Sequence, residues 1–423
     1  MADIRPFCAY RPAEGMEDRI AALPYDVYNR EEAARVVAEN PDSFLAIDRA
    51  ETGFGPEVDT YAEQVYRRAA SLLREQICAG KFIREDKPCY YLYELTMNGR
   101  SQTGIVACAS IDDYNNNIIK KHENTREDKE RDRIRHVDVC NMQTGPIFLA
   151  YRSNEILRDM VQEAKAEPPV YSFVSEDGIG HRVWVIYNAE RIEGIRNQFK
   201  KQNAIYIADG HHRCASAVKV GQLRRQEHPG YTGEEEFNYF LSVLFPDEEL
   251  YIMDYNRVVR DLNGYTPEEF LDKISQDFQV EKAAKTPFRP EKKGCFGMYL
   301  EGIWYKLSAR DHILSEDAVE GLDVSLLQNH LLGPILGIEN PKTDKRVDFV
   351  GGIRGLKELE RRVHEDMKAA FSMYPTSIGE LFAVADSGRL MPPKSTWFEP
   401  KLRSGLFLHE LEDLDLKDRV EFR

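Results

Sequence analysis

The sequence predicts a mixed α/β fold of hairpins and amphipathic helices, without the regular strand–helix alternation of a doubly wound sheet. Two strand-like segments, 90–97 and 103–111, flank an Asn-Gly turn signal at 98–99 and predict a hairpin. Apolar residues between 58 and 79 recur every three or four positions, which predicts an amphipathic helix ended by Gly80. The length of 423 residues predicts two domains.

Further elements follow from the same rules of spacing and capping. Asn29 before two acidic residues predicts a helix start, and prolines in 391–396 predict irregular backbone. The remaining predicted helices cover 29–39, 154–165, 189–201, 267–278, 325–332, 356–367 and 378–385, and the remaining strands cover 145–151, 170–174, 181–187, 240–245, 251–256 and 296–300. A polar, turn-rich stretch over 224–236 predicts a boundary between an N-terminal lobe of 1–230 and a C-terminal α/β lobe of 231–423.

Composition and charge restrict the class of protein. Hydrophobic residues make up 42% of the chain and charged residues 30%, as in an ordinary soluble globular protein. The net charge of −15 argues against nonspecific binding to nucleic acid or to an anionic membrane. Seven scattered cysteines without a CxxC pair, no signal-peptide pattern and no apolar run of membrane-spanning length predict a cytoplasmic protein. The oligomeric state stays open, a homo-oligomer included.

The strongest functional signal lies in residues 204–217, where a buried strand, a polar turn and a helix of small residues are predicted. Asp209 and Gly210 end the strand, because Gly adopts backbone angles that other residues avoid. His211, His212 and Arg213 then stand at a helix start, where backbone N–H groups and the helix dipole favour anions. The pattern predicts an anion site, and an Asp cap with surface His and Arg side chains is the structural alternative.

A charged segment over 120–136 carries the second signal. Lys121, His122 and Arg135 predict a cationic rim around a phosphate pocket, since cations neutralise the charge that develops in phosphoryl transfer. Glu123 adds a carboxylate suited to proton transfer. A solvated, salt-bridged helix is the alternative for the middle of the segment.

The same side chains raise the question of a metal site. Five residues offer imidazole or carboxylate ligands for zinc, manganese or iron: His122, Glu123, Asp209, His211 and His212. Their spacing matches no zinc motif, and two adjacent histidines at a helix start cannot easily point at one ion. We therefore expect no protein-ligated metal, and instead Mg²⁺ that arrives with a nucleotide.

Three further polar motifs are not explained by core packing. Residues 254–257, Asp-Tyr-Asn-Arg, end a strand and suit either a substrate contact or a simple turn. The Gly-rich stretch at 350–355 permits close approach of an anion but lacks a complete nucleotide-binding glycine pattern. Lys394, Ser395 and Thr396 lie on an extended loop that could close over a ligand or pack its aromatic neighbours into the core.

Five motifs stand in order along nearly the whole chain. They are Leu-Pro-Tyr-Asp-Val at 23–27, Lys-His-Glu-Asn-Thr at 121–125, Gln-Thr-Gly-Pro at 143–146, Ala-Asp-Gly-His-His-Arg at 208–213 and Met-Pro-Pro-Lys-Ser-Thr at 391–396. Together they resemble the large prokaryotic domain-of-unknown-function family numbered 1015. The Asp-Gly-His-His-Arg motif is also similar to that of SerK-type free serine kinases, which belong with ParB- and sulfiredoxin-like proteins.

This resemblance implies a ParB/sulfiredoxin-like core in which His211, His212 and Arg213 hold nucleotide phosphates and Gly210 allows their close approach. It implies transfer of a phosphoryl group from ATP or ADP, with Mg²⁺, to a small hydroxyl compound such as free L-serine. The catalytic base would be a carboxylate, for which the candidates are Asp26, Glu123 and Asp209. Two alternatives stay open: a phosphatase or other hydrolase, and a nucleotide-binding regulatory protein without turnover. We expect a small-molecule partner, and neither nucleic acid nor membrane.

Overall fold

The chain folds into two units. A computed structural model describes residues 1–125 and 127–412. The first unit comprises Met1–Lys120, Thr125–Leu250 and the described residues from Pro400 onward, and the second comprises Lys121–Asn124 and Tyr251–Glu399. Both units combine strands with helices in mixed sheets or hairpins, so the predicted mixed α/β class is confirmed.

The first unit contains a large mixed sheet. The strands of this unit up to residue 246 are β1 (Ile4–Arg5), β2 (Tyr10–Pro12), β3 (Phe82–Arg84), β4 (Tyr90–Met97), β5 (Arg100–Ser110), β6 (Ile119–Lys120), β7 (Met142–Gln143), β8 (Ile147–Tyr151), β9 (Tyr171–Val174), β10 (Gly180–Ile186), β11 (Ile205–Asp209) and β12 (Tyr239–Pro246), of which β2 and β3 pair with each other outside the large sheet. Its helices are α1 (Glu17–Ile20), α2 (Arg30–Glu39), α3 (Leu45–Asp48), α4 (Glu63–Cys78), α5 (Ile111–Asn115), α6 (Glu127–Cys140), α7 (Glu155–Lys165), α8 (Ala189–Phe199) and α9 (His211–Glu227). The sheet has the order β6-β11-β8-β12-β5-β4-β10-β9, with β1 paired to β5.

Local turn chemistry forms the hairpin of β4 and β5, as predicted. The two strands pair antiparallel. Asn98 and Gly99 both have positive φ, 52° and 78°, which is the conformation of a type I′ turn. The second predicted hairpin, β9 with β10, also forms.

Buried apolar side chains hold the C-terminal end of β11 and the start of α9 in place. Leu149 of β8 and Ile207 of β11 belong to one buried cluster with Leu157 of α7, Phe199 of α8 and Cys214 of α9. Burying one Leu, Ile or Phe side chain contributes about 1.5–3 kcal/mol. The turn between β11 and α9 therefore rests on a rigid base.

The second unit contains a smaller antiparallel sheet. Its strands are β13 (Ile252–Met253), β14 (Tyr255–Val259), β15 (Phe278–Lys282), β16 (Cys295–Leu300), β17 (Ile303–Ala309), β18 (Val347–Gly351), β19 (Ala369–Ser372) and β20 (Trp397–Phe398). Its helices are α10 (Pro267–Ile274), α11 (Asp323–Leu327), α12 (Leu356–Glu365) and α13 (Ile378–Asp386). The sheet has the order β15-β17-β16-β19-β14-β18, and β13 pairs separately with β20.

Several elements of the second unit differ from the sequence-based prediction. The predicted strand 251–256 is interrupted at Asp254, and the predicted helix 267–278 ends at Ile274, four residues before Phe278 opens β15. Strands β15 and β17 to β20 were not predicted. Pairing with neighbouring strands stabilises such short segments more than their own composition does.

The last described residues return to the first unit. There β21 (His409–Glu410) pairs antiparallel with β7. The predicted boundary near residue 230 falls before β12, which pairs with both β5 and β8 in the large sheet. Among the described helices, none combines the length and apolar character needed to cross a bilayer.

Candidate functional site

The strand, turn and helix predicted over 204–217 form as expected. β11 ends at Asp209, Gly210 has a φ of 90°, and α9 starts at His211. A Cβ at Gly210 would be strained at this φ and would lie 3.0 Å from Nη2 of Arg213. Within the described chain, no side chain caps the N-terminus of α9. Main-chain N–H groups at such a helix start favour an anion.

Two cations flank the carboxylate of Asp209. Nη2 of Arg213 lies 3.6 Å and Nζ of Lys401 lies 3.4 Å from Oδ2 of Asp209. Burial favours the neutral acid, but the charges of Lys401 and Arg213 outweigh it and hold the pKa of Asp209 at about 2. We call these three residues the Asp209 cluster. Its carboxylate is ionised at neutral pH.

A second contact fixes the guanidinium of Arg213. Its Nη1 donates to the carbonyl oxygen of Pro146 at 2.8 Å. A Cβ at Gly145 would be in ordinary contact with Nη1 of Arg213, at 3.5 Å, and tight against Oγ of Ser404, at 3.2 Å. The motifs at 143–146 and 208–213 therefore meet at Arg213.

A cavity of about 30 Å³ lies beside Arg213 in the first unit. Its polar lining residues are Tyr25, Asp48, Arg133, His136, Gln143, Thr144, Arg213 and Ser404. A polar cavity of this size suits one or two water molecules and is too small for a nucleotide.

Tyr25, from the motif at 23–27, lines the same cavity as Arg213. The guanidinium of Arg133 lies 4.0 Å from the ring centroid of Tyr25, and its Nε donates to Asp132 at 2.9 Å. Burial raises the pKa of Tyr25 to about 12 despite the nearby charge of Arg133. Asp26, the next residue, is exposed. The first, third and fourth motifs are thus neighbours in the first unit.

Arg135 contacts carboxylates and does not line this cavity. Its Nη2 lies 2.5 Å from Oε1 of Glu63, and its Nη1 lies 3.0 Å from Oδ2 of Asp138. Arg135 is thus salt-bridged, although the sequence favoured a salt-bridged surface only for the middle of the segment. Arg133 and His136 of the same helix line the cavity. A role for Arg135 in a phosphate rim stays a prediction.

The second and fifth motifs meet in the second unit. The N–H of Met391 donates to the carbonyl oxygen of His122 at 2.8 Å. Lys121 is exposed, His122 is buried and Glu123 is half-buried. Their predicted roles at a phosphate pocket stay predictions.

The loop over 392–396 is a compact turn. Oγ of Ser395 donates to the carbonyl oxygen of Pro392 at 2.6 Å, and Thr376 donates to the carbonyl oxygen of Ser395 at 2.9 Å. Lys394 is exposed and has a φ of 61°, which is uncommon for a residue with a Cβ. Thr396 is half-buried. The hydroxyl of Ser395 is therefore already engaged within its own loop.

Sequence reasoning missed Lys401 and gave no reason to prefer Arg133 over Arg135. Lys401 lies 192 positions from Asp209, and no motif marks it. Arg133 lies in the charged segment 120–136, and nothing in that stretch of sequence distinguishes it from Arg135. Only the packing of α6 separates a buried guanidinium from an exposed one.

The comparison with protein families supports the resemblance that the five motifs predicted. A family profile described as "Protein of unknown function (DUF1015)" matches residues 4–325. The chain belongs to this family. The predicted resemblance is thereby confirmed over a span that includes the first four motifs, while the fifth motif of this DUF1015 protein, at 391–396, lies beyond the match.

Several solved structures are distantly similar to this DUF1015 protein. A free serine kinase in complex with AMP has 15% identity and a TM-score of 0.35, over 73% of this chain and 93% of that chain. SbnI from Staphylococcus aureus, with a C-terminal truncation, has 11% identity and a TM-score of 0.39, over 74% and 92%. A conserved hypothetical protein from Pyrococcus furiosus has 15% identity and a TM-score of 0.35, over 74% and 96%. Similarity at this level says nothing about the activity of this chain. Among curated protein sequences, none matches it significantly.

Titration offers a direct test of the Asp209 cluster. The folded pKa of about 2 lies below the ordinary value of 3.8, so the cluster stabilises the fold above about pH 4 and loses this contribution as pH falls toward 2. Because the Asp209 side chain is 36% exposed, solvent screening limits the effect to below about 1 kcal/mol. Lys401→Met is expected to raise the pKa of Asp209, as measured by carbon-13 NMR titration of its carboxyl group. An unchanged pKa in this variant would contradict the ion pair.

Proposed function

We propose that this DUF1015 protein is a phosphotransferase that moves a phosphoryl group from ATP or ADP to a small hydroxyl compound. Free L-serine is the first acceptor to test, because the 208–213 motif is similar to that of SerK-type kinases. Mg²⁺ would accompany the nucleotide, since it keeps several of its waters and needs few protein ligands.

The observation that carries the proposal is the fixed position of Arg213 at the start of α9. The guanidinium is anchored on the carbonyl oxygen of Pro146 and lies beside the ionised Asp209. Phosphoryl transfer relies mainly on positioning and on preorganised positive charge. A half-buried cation next to an uncapped helix start supplies both.

The pKa of Asp209 decides which role suits this residue. A carboxylate with a pKa of about 2 is a weak proton acceptor, so we assign Asp209 to the orientation of Arg213 and Lys401. Asp26 and Glu123 then remain the proposed bases. Asp26→Asn and Glu123→Gln, assayed separately, would show which carboxylate the reaction needs.

The other predicted phosphate contacts are also proposed, and they differ in how far their polar groups are already engaged by other partners. They are His211, His212, Lys121, His122, Arg135, Lys394, Ser395 and Thr396. Arg135 and Ser395 come last, because the first pairs with two carboxylates and the second donates within its own loop.

Mass spectrometry tests the proposed reaction. The full chain is incubated with ATP or ADP, Mg²⁺ and a mixture of amino acids, and we expect phosphoserine to accumulate with matching loss of nucleotide phosphate. Phosphate release without a phosphorylated acceptor would favour the hydrolase alternative. Calorimetric binding of nucleotide without either product would favour a regulatory protein.

A further inference from the structure

A buried guanidinium without a carboxylate partner lies in the second unit. The Arg257 side chain is in β14, and the residue is 3% exposed. Its Nη2 donates to the carbonyl oxygen of Lys394 at 3.0 Å, and its Nη1 donates to that of Tyr255. Within the described residues, no Asp or Glu forms an ion pair with it. Two carbonyl oxygens therefore accept from a group with five N–H donors, and the ring centroid of Phe349 lies 5.3 Å from its central carbon.

This arrangement is costly for an isolated charge. Taking a cation out of water is unfavourable unless an opposite charge or further acceptors compensate it. Burial accordingly lowers the pKa of Arg257 to about 10. An anion beside Arg257 would supply the missing charge and use its remaining donors.

Lys394 carries a second cation on the loop to which Arg257 donates. Its carbonyl oxygen accepts from Arg257, and its Nζ lies 5.8 Å from the ring centroid of Tyr255. The hydrogen bonds of Ser395 and Thr376 and two adjacent prolines hold this loop in shape. The positive φ of Lys394 is thus maintained by its surroundings, as is common where backbone strain serves a ligand.

The neighbouring glycines serve packing and not anion contact. A Cβ at Gly351 would lie 2.6 Å from the Trp397 ring, and one at Gly352 would lie 2.6 Å from Oδ1 of Asp254. The N–H of Gly352 donates to the carbonyl oxygen of Asp254. Close packing therefore accounts for the glycines at 351 and 352.

We propose that Arg257 and Lys394 form a phosphate-binding site within the second unit. A phosphate dianion suits a guanidinium and an ammonium group, because charge-assisted hydrogen bonds to both use its oxygens. The ligand is inorganic phosphate or the phosphate group of a small molecule. This inference goes beyond the proposed function, since it requires binding and no phosphoryl transfer, and it assigns Lys394 to this site instead of to the phosphate contacts of the proposed reaction.

Acetylation of lysines, followed by peptide mass spectrometry, gives a readout specific to this site. Bound phosphate should slow the acetylation of Lys394 by about tenfold at about ten times the dissociation constant. Lys357, exposed on α12, serves as the internal reference and should react at an unchanged rate. Parallel titrations with inorganic phosphate, ADP and phosphoserine would show which source of phosphate binds best.

Two variants separate the proposed site from general charge effects. Arg257→Gln should abolish the protection of Lys394, whereas Arg361→Gln, which removes an exposed, ion-paired charge from the same unit, should leave it intact. If Arg257→Gln fails to fold, Arg257→Lys replaces it and should weaken protection, because Lys lacks the planar fork. Protection that is absent from the wild type, or that persists unchanged in the folded Arg257 variant, would overturn the proposal.

The outcome is independent of the kinase assay. Arg213→Gln should leave the protection of Lys394 intact, and loss of protection in that variant would place the phosphate elsewhere and overturn the proposal. If no phosphoserine forms while Lys394 remains protected, the proposed function fails and the phosphate site stands. If phosphoserine forms while Lys394 is not protected, the phosphate site fails and the proposed function stands.

Discussion

Arg213→Gln is expected to lower kcat/KM for the phosphotransfer by about 10²- to 10³-fold, the usual cost of removing one preorganised donor from a developing charge. Gln keeps an amide donor for the carbonyl oxygen of Pro146, so the turn should retain its local hydrogen bond. Lys401 continues to neutralise Asp209, which limits the loss of stability. Initial rates against ATP concentration, with a thermal melt of the same sample, measure both effects.

The matched control is Arg158→Gln. Arg158 is exposed on α7 and pairs with Glu248 on the surface, and such exposed ion pairs contribute about 0–1 kcal/mol. We expect its rate to stay close to that of the wild type. Arg213→Lys should fall between the two, because the ammonium keeps the charge and loses the fork. A folded Arg213→Gln protein with full activity would remove Arg213 from the proposed reaction.

The features that could be predicted from the sequence are those set by neighbouring residues. The turn at Gly210 follows from one residue that tolerates a φ of 90°, placed between a β-branched strand and a helix of small residues. The β4–β5 hairpin follows from its Asn-Gly pair. In both cases the local backbone preference agrees with the final packing, so the short segment is sufficient to predict the turn.

The features that could not be predicted depend on segments far apart in the chain. Lys401 reaches Asp209 only because the chain returns to the first unit after the second. Its charge holds the pKa of Asp209 at about 2 and thereby makes this residue a weak base, which the motif alone does not reveal. Likewise, the sequence suggested an anion contact at Gly351 and Gly352, where the structure places Trp397 and Asp254.

Gly405→Ala is expected to destabilise the protein by about 2–4 kcal/mol, which is large for the addition of one methyl group. Gly405 is buried and has a φ of 85°, so any Cβ is strained there. The added carbon would also lie 2.6 Å from Cγ of Phe44, which is fully buried and packed edge-to-face on Phe82. Phe44 has little room to move, so the main chain at 405 must shift.

Gly178→Ala separates these two causes. Gly178 has a φ of 78° but no atom within 4 Å of the added carbon, so its cost should be the backbone strain alone, about 1 kcal/mol. Denaturant midpoints of both variants measure the difference, and equal losses would mean that Phe44 adapts without cost. Gly405 lies four residues after Lys401, and its N–H donates to the carbonyl oxygen of Thr144. A shift of the main chain at Gly405 therefore also disturbs the Asp209 cluster. We therefore expect Gly405→Ala to lose more phosphotransfer activity than its unfolded fraction explains, and Gly178→Ala to lose none beyond that fraction.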